Sequence, residues 1–183
     1  MRILTTLILM LVTSFALAAD LTKNDVERWM KHAPQLQTWI EQQESKFDEE
    51  ALPDDIFDQD AMAKYGLQQL KQAGIYDELT KRVKTAGYEN IEHWIADSQK
   101  ISMAYMAITL QNETGGQGTK SELLAQQKEL DAMNMPAESK AMMQAMLDGA
   151  LAMLESVEAT TAADKAAVKP YFKKIGEILG DED

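Results

Sequence analysis

One of the two histidines in the chain has acidic neighbours at helical spacing. Glu89, His93 and Asp97 lie four residues apart, so a helix through this segment would place all three side chains along one strip. Two carboxylates and an imidazole on one strip could bind a divalent metal ion. The same spacing also suits an exposed ladder in which the imidazole pairs with the carboxylates and no metal is bound. The sequence leaves both interpretations open, with Glu89, His93 and Asp97 as its candidate metal ligands.

Methionine is the second unusual feature. Six of the 12 methionines fall in one stretch: Met133, Met135, Met142, Met143, Met146 and Met153. Thioethers can bind copper(I), and flexible methionines also suit an apolar groove that adapts to several partners. Methionines fill ordinary cores as well, so three interpretations stay open. Met142, Met143 and Met146 are the candidate partner-binding residues.

Familiar catalytic patterns are missing from the sequence. The chain has no cysteine and no Gly-x-Ser-x-Gly motif. The Gly-rich run from Gly115 to Ser121 lacks the Gly-Lys pair and the preceding strand of a phosphate-binding loop. Trp29 and Asn90 stand where a di-iron protein would have the glutamate of its Glu-x-x-His motif. We therefore predict no catalytic residue and no cofactor, although the many carboxylates leave a paired-carboxylate hydrolase open.

The charge of the chain restricts its partners. Thirty acidic residues stand against 18 lysines and arginines, which gives a net charge of −12 at pH 7. Nucleic acids bind positive surfaces that release counterions, so a nucleic acid partner is excluded. A cationic protein or peptide is the kind of partner that this charge attracts. The same charge would also keep an exported protein in solution.

The first 18 residues have the features of a cleavable signal peptide. Arg2 provides the positive start, an apolar run extends from Ile3 to Phe15, and Ala16-Leu17-Ala18 offers the small residues that signal peptidase requires. We expect cleavage after Ala18 and a periplasmic or secreted location. The apolar run is shorter than the roughly 20 residues of a membrane-spanning helix. We therefore expect no stable membrane insertion after cleavage.

Helical periodicity dominates the rest of the chain. The pattern predicts an all-α array of about seven or eight amphipathic helices, with a helix bundle in the C-terminal half. A Gly-rich loop at residues 113–121 separates an N-terminal helical region, residues 19–112, from a C-terminal one, residues 122–183. We expect the two regions to pack together as one domain.

Several residues indicate where individual helices begin and end. Thr22 and Asp25 have the spacing of a capping box at a helix start. Pro34 is placed to open a second helix. Gly74 and Gly87 each follow an alanine at the end of an apolar stripe, where a left-handed residue would end the helix.

No motif assigns the chain to a family. Leu21-Thr22 and Leu79-Thr80 begin like the Leu-Thr-x-x-Gln repeat of small exported helical chaperones, but Asp25 and Val83 stand at the glutamine position. The sequence predicts an exported, non-enzymatic helical protein that binds a partner protein or an apolar peptide. The alternative is a periplasmic protein that binds a divalent metal or copper(I).

Overall fold

A computed structural model describes residues 20–47, 59–114 and 118–180 of the chain. Within these ranges there are eight α-helices and no strand, which confirms the all-α prediction. The helices are α1 (Lys23–Glu41), α2 (Gln59–Gln72), α3 (Tyr76–Thr85), α4 (Ile91–Thr114), α5 (Gly118–Ala132), α6 (Ala137–Glu158), α7 (Ala162–Val168) and α8 (Phe172–Leu179). Short 3-10 turns occupy Glu44–Lys46 and Lys169–Tyr171. The predicted signal peptide, residues 1–18, lies outside the described residues.

Helix α1 begins at the predicted capping box and passes through its proline. The Thr22 side chain accepts a hydrogen bond from the Asp25 N–H, and the Asp25 carboxylate accepts one from the Thr22 N–H at 2.9 Å. The prediction that Pro34 opens a new helix is wrong, because α1 includes it. An interior proline costs a helix about 3 kcal/mol. Burial of one continuous apolar face offsets that cost, and its members are Val26, Trp29, Met30, Ala33, Leu36 and Ile40.

Helices α2 and α3 end in the same way, each at a glycine. Gly74 and Gly87 adopt φ values of 68° and 87°, as predicted for left-handed residues that end a helix. The next residue in each case donates its N–H to a carbonyl five residues earlier, from Ile75 to Leu70 and from Tyr88 to Val83. Both turns therefore fold the chain back sharply and bury the side chain that follows the glycine.

Helix α4 is the centre of the fold, since it contacts α1, α3, α6, α7 and α8. Two clusters of buried side chains lie along it. The first joins α4 to the C-terminal half of α1 and to α2 and α3 through Leu36, Ile40, Leu70, Ile75, Leu79, Val83, Ala86, Tyr88, Ile91, Trp94 and Ile95. The second joins α4 to the start of α1 and to α7 and α8 through Leu21, Val26, Trp29, Met30, Ala33, Ile101, Ala104, Tyr105, Ile108, Val168 and Ile175.

The C-terminal helices pack in the manner of a bundle. Helices α5 and α6 form an antiparallel hairpin, held by a hydrogen bond of 2.9 Å from Gln127 Nε2 to Asp148 Oδ1. Helix α6 also contacts α4, while α7 and α8 contact both α1 and α4. Of the predicted loop 113–121, the described ends are helical, because α4 extends to residue 114 and α5 begins at residue 118. The domain boundaries themselves stay a prediction.

None of the helices in the described ranges combines the length and the apolar character needed to cross a bilayer.

Candidate functional site

A charged cluster joins α1 to the first turns of α4. Arg28 Nη2 donates to Asp97 Oδ2 at 2.7 Å and to Asp25 Oδ1 at 2.8 Å. One guanidinium therefore bridges a carboxylate on its own helix and one that lies 69 residues away. Next to this bridge, Trp29 Nε1 donates to Ser98 Oγ at 2.9 Å. The two contacts fix the crossing of α1 over α4.

The aromatic ring of Tyr88 packs against the guanidinium of Arg28. Its position follows from the left-handed Gly87, which turns the chain back after α3. Arg28 Cζ lies 4.3 Å from the centre of the Tyr88 ring, within cation–π distance. Burial raises the pKa of Tyr88 to about 12, so the phenol is neutral at physiological pH. Its hydroxyl and Arg28 Nε are buried and have no hydrogen-bond partner among the described residues.

Asp97 is the more buried of the two carboxylates that Arg28 contacts. Its side chain is only 11% exposed. Burial raises the pKa of Asp97, while the hydrogen bond from Arg28 and the charge of His93 oppose that rise. His93 Nε2 lies 3.7 Å from Asp97 Oδ2, and its ring meets Tyr88 edge-on. The Arg28 guanidinium is the cationic group in hydrogen-bond contact with Asp97.

The three candidate metal ligands do not share one helical strip. Asn90 Oδ1 accepts the His93 N–H at 2.7 Å and caps α4, so the helix begins at Ile91 and Glu89 precedes it, exposed. The prediction that Glu89 lies on this helix is therefore wrong. His93 and Asp97 do lie together on one face of α4. Among the described residues no group of three or more histidines and carboxylates is arranged to hold a metal ion. Metal binding itself stays a prediction.

The other predicted site lies on the α5–α6 hairpin. Met142, Met143 and Met146 are 63%, 42% and 58% exposed, in the N-terminal half of α6. Among the described side chains of α6, the buried ones are Leu154 and Val157, both in its C-terminal half. The three methionines thus project from the part of the helix that the core does not cover.

The register of the hairpin adds a fourth methionine to this surface. Gln127 and Asp148 face each other. Six residues further toward the connection lie Met133, the first residue after α5, and Met142 in α6. Met133 is 50% exposed. We call Met133, Met142, Met143 and Met146 the methionine face. It occupies the closed end of the hairpin.

The methionine face is unusual within the protein. Among the described residues, the exposed large apolar side chains are Leu124 and the four methionines of this face, and all five belong to the hairpin. Met30, in contrast, is 8% exposed and belongs to the core. Scattered apolar residues are normal on a surface, whereas a concentrated group marks an interaction site or a ligand groove.

Sequence reasoning missed the role of Arg28. The available signal was weak: Arg28 is a rare arginine in a lysine-rich chain, three residues after the capping Asp25. Its second partner, Asp97, comes from a distant segment that no local pattern connects to α1.

Comparison of the chain with protein-family models, with curated proteins and with solved structures finds no match.

Proposed function

We propose that this chain is an exported, non-enzymatic helical protein that binds an apolar segment of a partner protein through its methionine face. The observation that carries the proposal is the exposure of Met142, Met143 and Met146 together at one end of a helical hairpin. Exposed unbranched thioether side chains can adjust to partner surfaces of different shape. They therefore suit a binder of segments that vary in sequence.

The charge of the chain favours a cationic partner. At −12, two copies of the chain repel each other, which opposes pairing of one methionine face with another. The same charge attracts a segment in which lysine or arginine accompanies the apolar residues. We therefore take the occupant to be a basic amphipathic helix of another protein, laid with its apolar face on the hairpin.

The exposure of the methionines sets the scale of the binding energy. Complete burial of a methionine side chain contributes about 1.5–3 kcal/mol. Met142, Met143 and Met146 are 42–63% exposed, so docking would bury roughly half of each side chain. The three together would contribute roughly 3 kcal/mol, which corresponds to about 100-fold in Kd.

The test uses a synthetic amphipathic helix made of leucine and lysine, labelled for fluorescence anisotropy. Replacement of Met142, Met143 and Met146 by glutamine keeps the length and helix propensity of each side chain but removes its apolar character. We expect this variant to bind the peptide about 100-fold more weakly. Replacement by leucine is the matched control, and we expect it to cost less than about tenfold because the apolar area is kept.

Two further controls make the outcome decisive. A peptide with glutamate in place of lysine should bind much more weakly than the lysine peptide, and the difference should shrink at high salt. Circular dichroism should give equal helix content for all variants. The proposal fails when the glutamine variant, correctly folded, binds the lysine peptide as tightly as the unmodified protein does.

A further inference from the structure

We propose that the methionine face is also a modification site, at which peroxide-class oxidants convert Met142 and Met146 to sulfoxides and thereby end partner binding. The first part concerns only the chemistry of the exposed sulfurs. The second part, the loss of binding, rests on the function proposed above.

Composition and exposure together select these sulfurs. The chain has no cysteine, so its methionines carry all of its oxidisable sulfur. Met142 and Met146 are the most exposed of the described methionines, at 63% and 58%, followed by Met133 at 50%. Met30, at 8%, is enclosed between α1 and its neighbours. Oxidation depends on access to the sulfur, so the methionine face should react well before the core.

The reaction needs only a peroxide and an accessible thioether. A lone pair of the methionine sulfur attacks one peroxide oxygen, the O–O bond breaks, and that oxygen becomes the sulfoxide oxygen. Sulfur is oxidised by two electrons, and hydrogen peroxide is reduced to water. The product is a polar, chiral side chain. Enzymatic reduction by a methionine sulfoxide reductase, with a thiol as electron donor, reverses the step.

The location of the two residues decides what oxidation does to the protein. Their side chains lie outside both core clusters, so the sulfoxide oxygens can stay in water and the fold can persist. The apolar surface of the hairpin, however, becomes polar. Oxidation should therefore change binding without unfolding, which distinguishes a surface switch from general oxidative damage.

The experiment exposes the full folded chain to hydrogen peroxide and follows each methionine by peptide mass spectrometry. We expect Met142 and Met146 to be oxidised about tenfold faster than Met30, because oxidation follows exposure. Similar rates at all three positions would overturn the proposed selectivity. Far-UV circular dichroism should stay unchanged when only the methionine face is oxidised, and loss of helix at that stage would also refute the switch.

Two binding measurements test the second part. Fluorescence of a hydrophobic dye on the folded protein should fall after oxidation, and the leucine triple variant should keep its signal. The leucine–lysine peptide should lose affinity about as strongly as it does for the glutamine variant, and reductase treatment should restore it. Unchanged dye and peptide binding after complete oxidation of the face would overturn the switch. If the unmodified protein does not bind the peptide, the proposed function fails, while the oxidation map and the dye signal still decide the modification site.

Discussion

Replacement of Arg28 by methionine should destabilise the protein chiefly through the carboxylate that it leaves behind. Methionine keeps much of the stem of the arginine side chain but removes the guanidinium. Asp25 would still accept hydrogen bonds from Thr22 N and Thr22 Oγ1, at 2.9 and 2.7 Å. Asp97, at 11% exposure, would lose its 2.7 Å partner and stay ionised in a buried place.

The loss of stability in Arg28→Met is set by Asp97, because Asp25 keeps other hydrogen-bond partners and Asp97 loses its guanidinium partner. Removal of one partner from a buried ion pair costs about 3–5 kcal/mol. The Arg28 side chain is 24% exposed, so water can partly replace it and the lower end of the range applies. We expect the free energy of unfolding to fall by about 3 kcal/mol. With a slope near 2 kcal/mol per molar urea, the unfolding midpoint would fall by roughly 1.5 M.

A double-mutant cycle with Asp97→Asn isolates the buried charge. Asparagine nearly matches aspartate in size and removes the charge, so Arg28→Met/Asp97→Asn should be roughly 1–2 kcal/mol more stable than Arg28→Met alone. The cation–π contact with Tyr88 is lost in both variants and cancels in this comparison. Urea unfolding followed by circular dichroism measures all four proteins. A double variant no more stable than Arg28→Met would refute the explanation based on a buried charge.

The same reasoning gives a sign for the pH dependence. Burial raises the pKa of Asp97 above its ordinary value of 3.8, so its folded form binds a proton where the unfolded form is ionised. Its contribution to stability is therefore present at low pH and lost as pH rises through the folded pKa. Without the Arg28 guanidinium, which lowers the pKa of Asp97, that pKa would rise further. The pH range in which the folded protein holds the extra proton would therefore extend upward. The deficit of Arg28→Met should thus shrink as pH falls toward 4.

Two further predictions concern contacts that close the second core cluster. Gly176→Ala would place a Cβ 2.7 Å from Tyr105 Oη. The Tyr105 ring cannot move away freely, because it stacks on Phe172 with ring centres 4.5 Å apart. We therefore expect the free energy of unfolding to fall by about 1–3 kcal/mol, measured as a lower Tm. An unchanged Tm would contradict the close packing of α8 on α4. Asp164→Ala removes the acceptor of the Leu21 N–H, which lies 2.6 Å from Asp164 Oδ1, at a cost of about 2 kcal/mol. Hydrogen exchange at the Leu21 amide should accelerate, whereas Asp164→Asn, which keeps an acceptor, should preserve most of the protection.

Features that depend only on neighbouring residues could be predicted from the amino-acid sequence. The all-α class follows from periodicity repeated along the whole chain. The capping box of Thr22 and Asp25 and the left-handed Gly74 and Gly87 involve contacts over five residues or fewer, so residue type and spacing are enough to predict them. Pro34 shows the limit of such rules, because burial along α1 outweighs a local signal for a helix start.

Which side chains meet and which stay exposed depends on how the helices pack, and this could not be predicted from the sequence. Arg28 and Asp97 are 69 residues apart, and Leu21 and Asp164 are 143 apart, so no spacing rule joins them. Met143 and Met146 continue the same apolar stripe of α6 as Leu154 and Val157, and the stripe alone cannot separate core from surface. Burial depends on whether another helix covers each turn. In this fold the last turns of α6 are covered and the first are not.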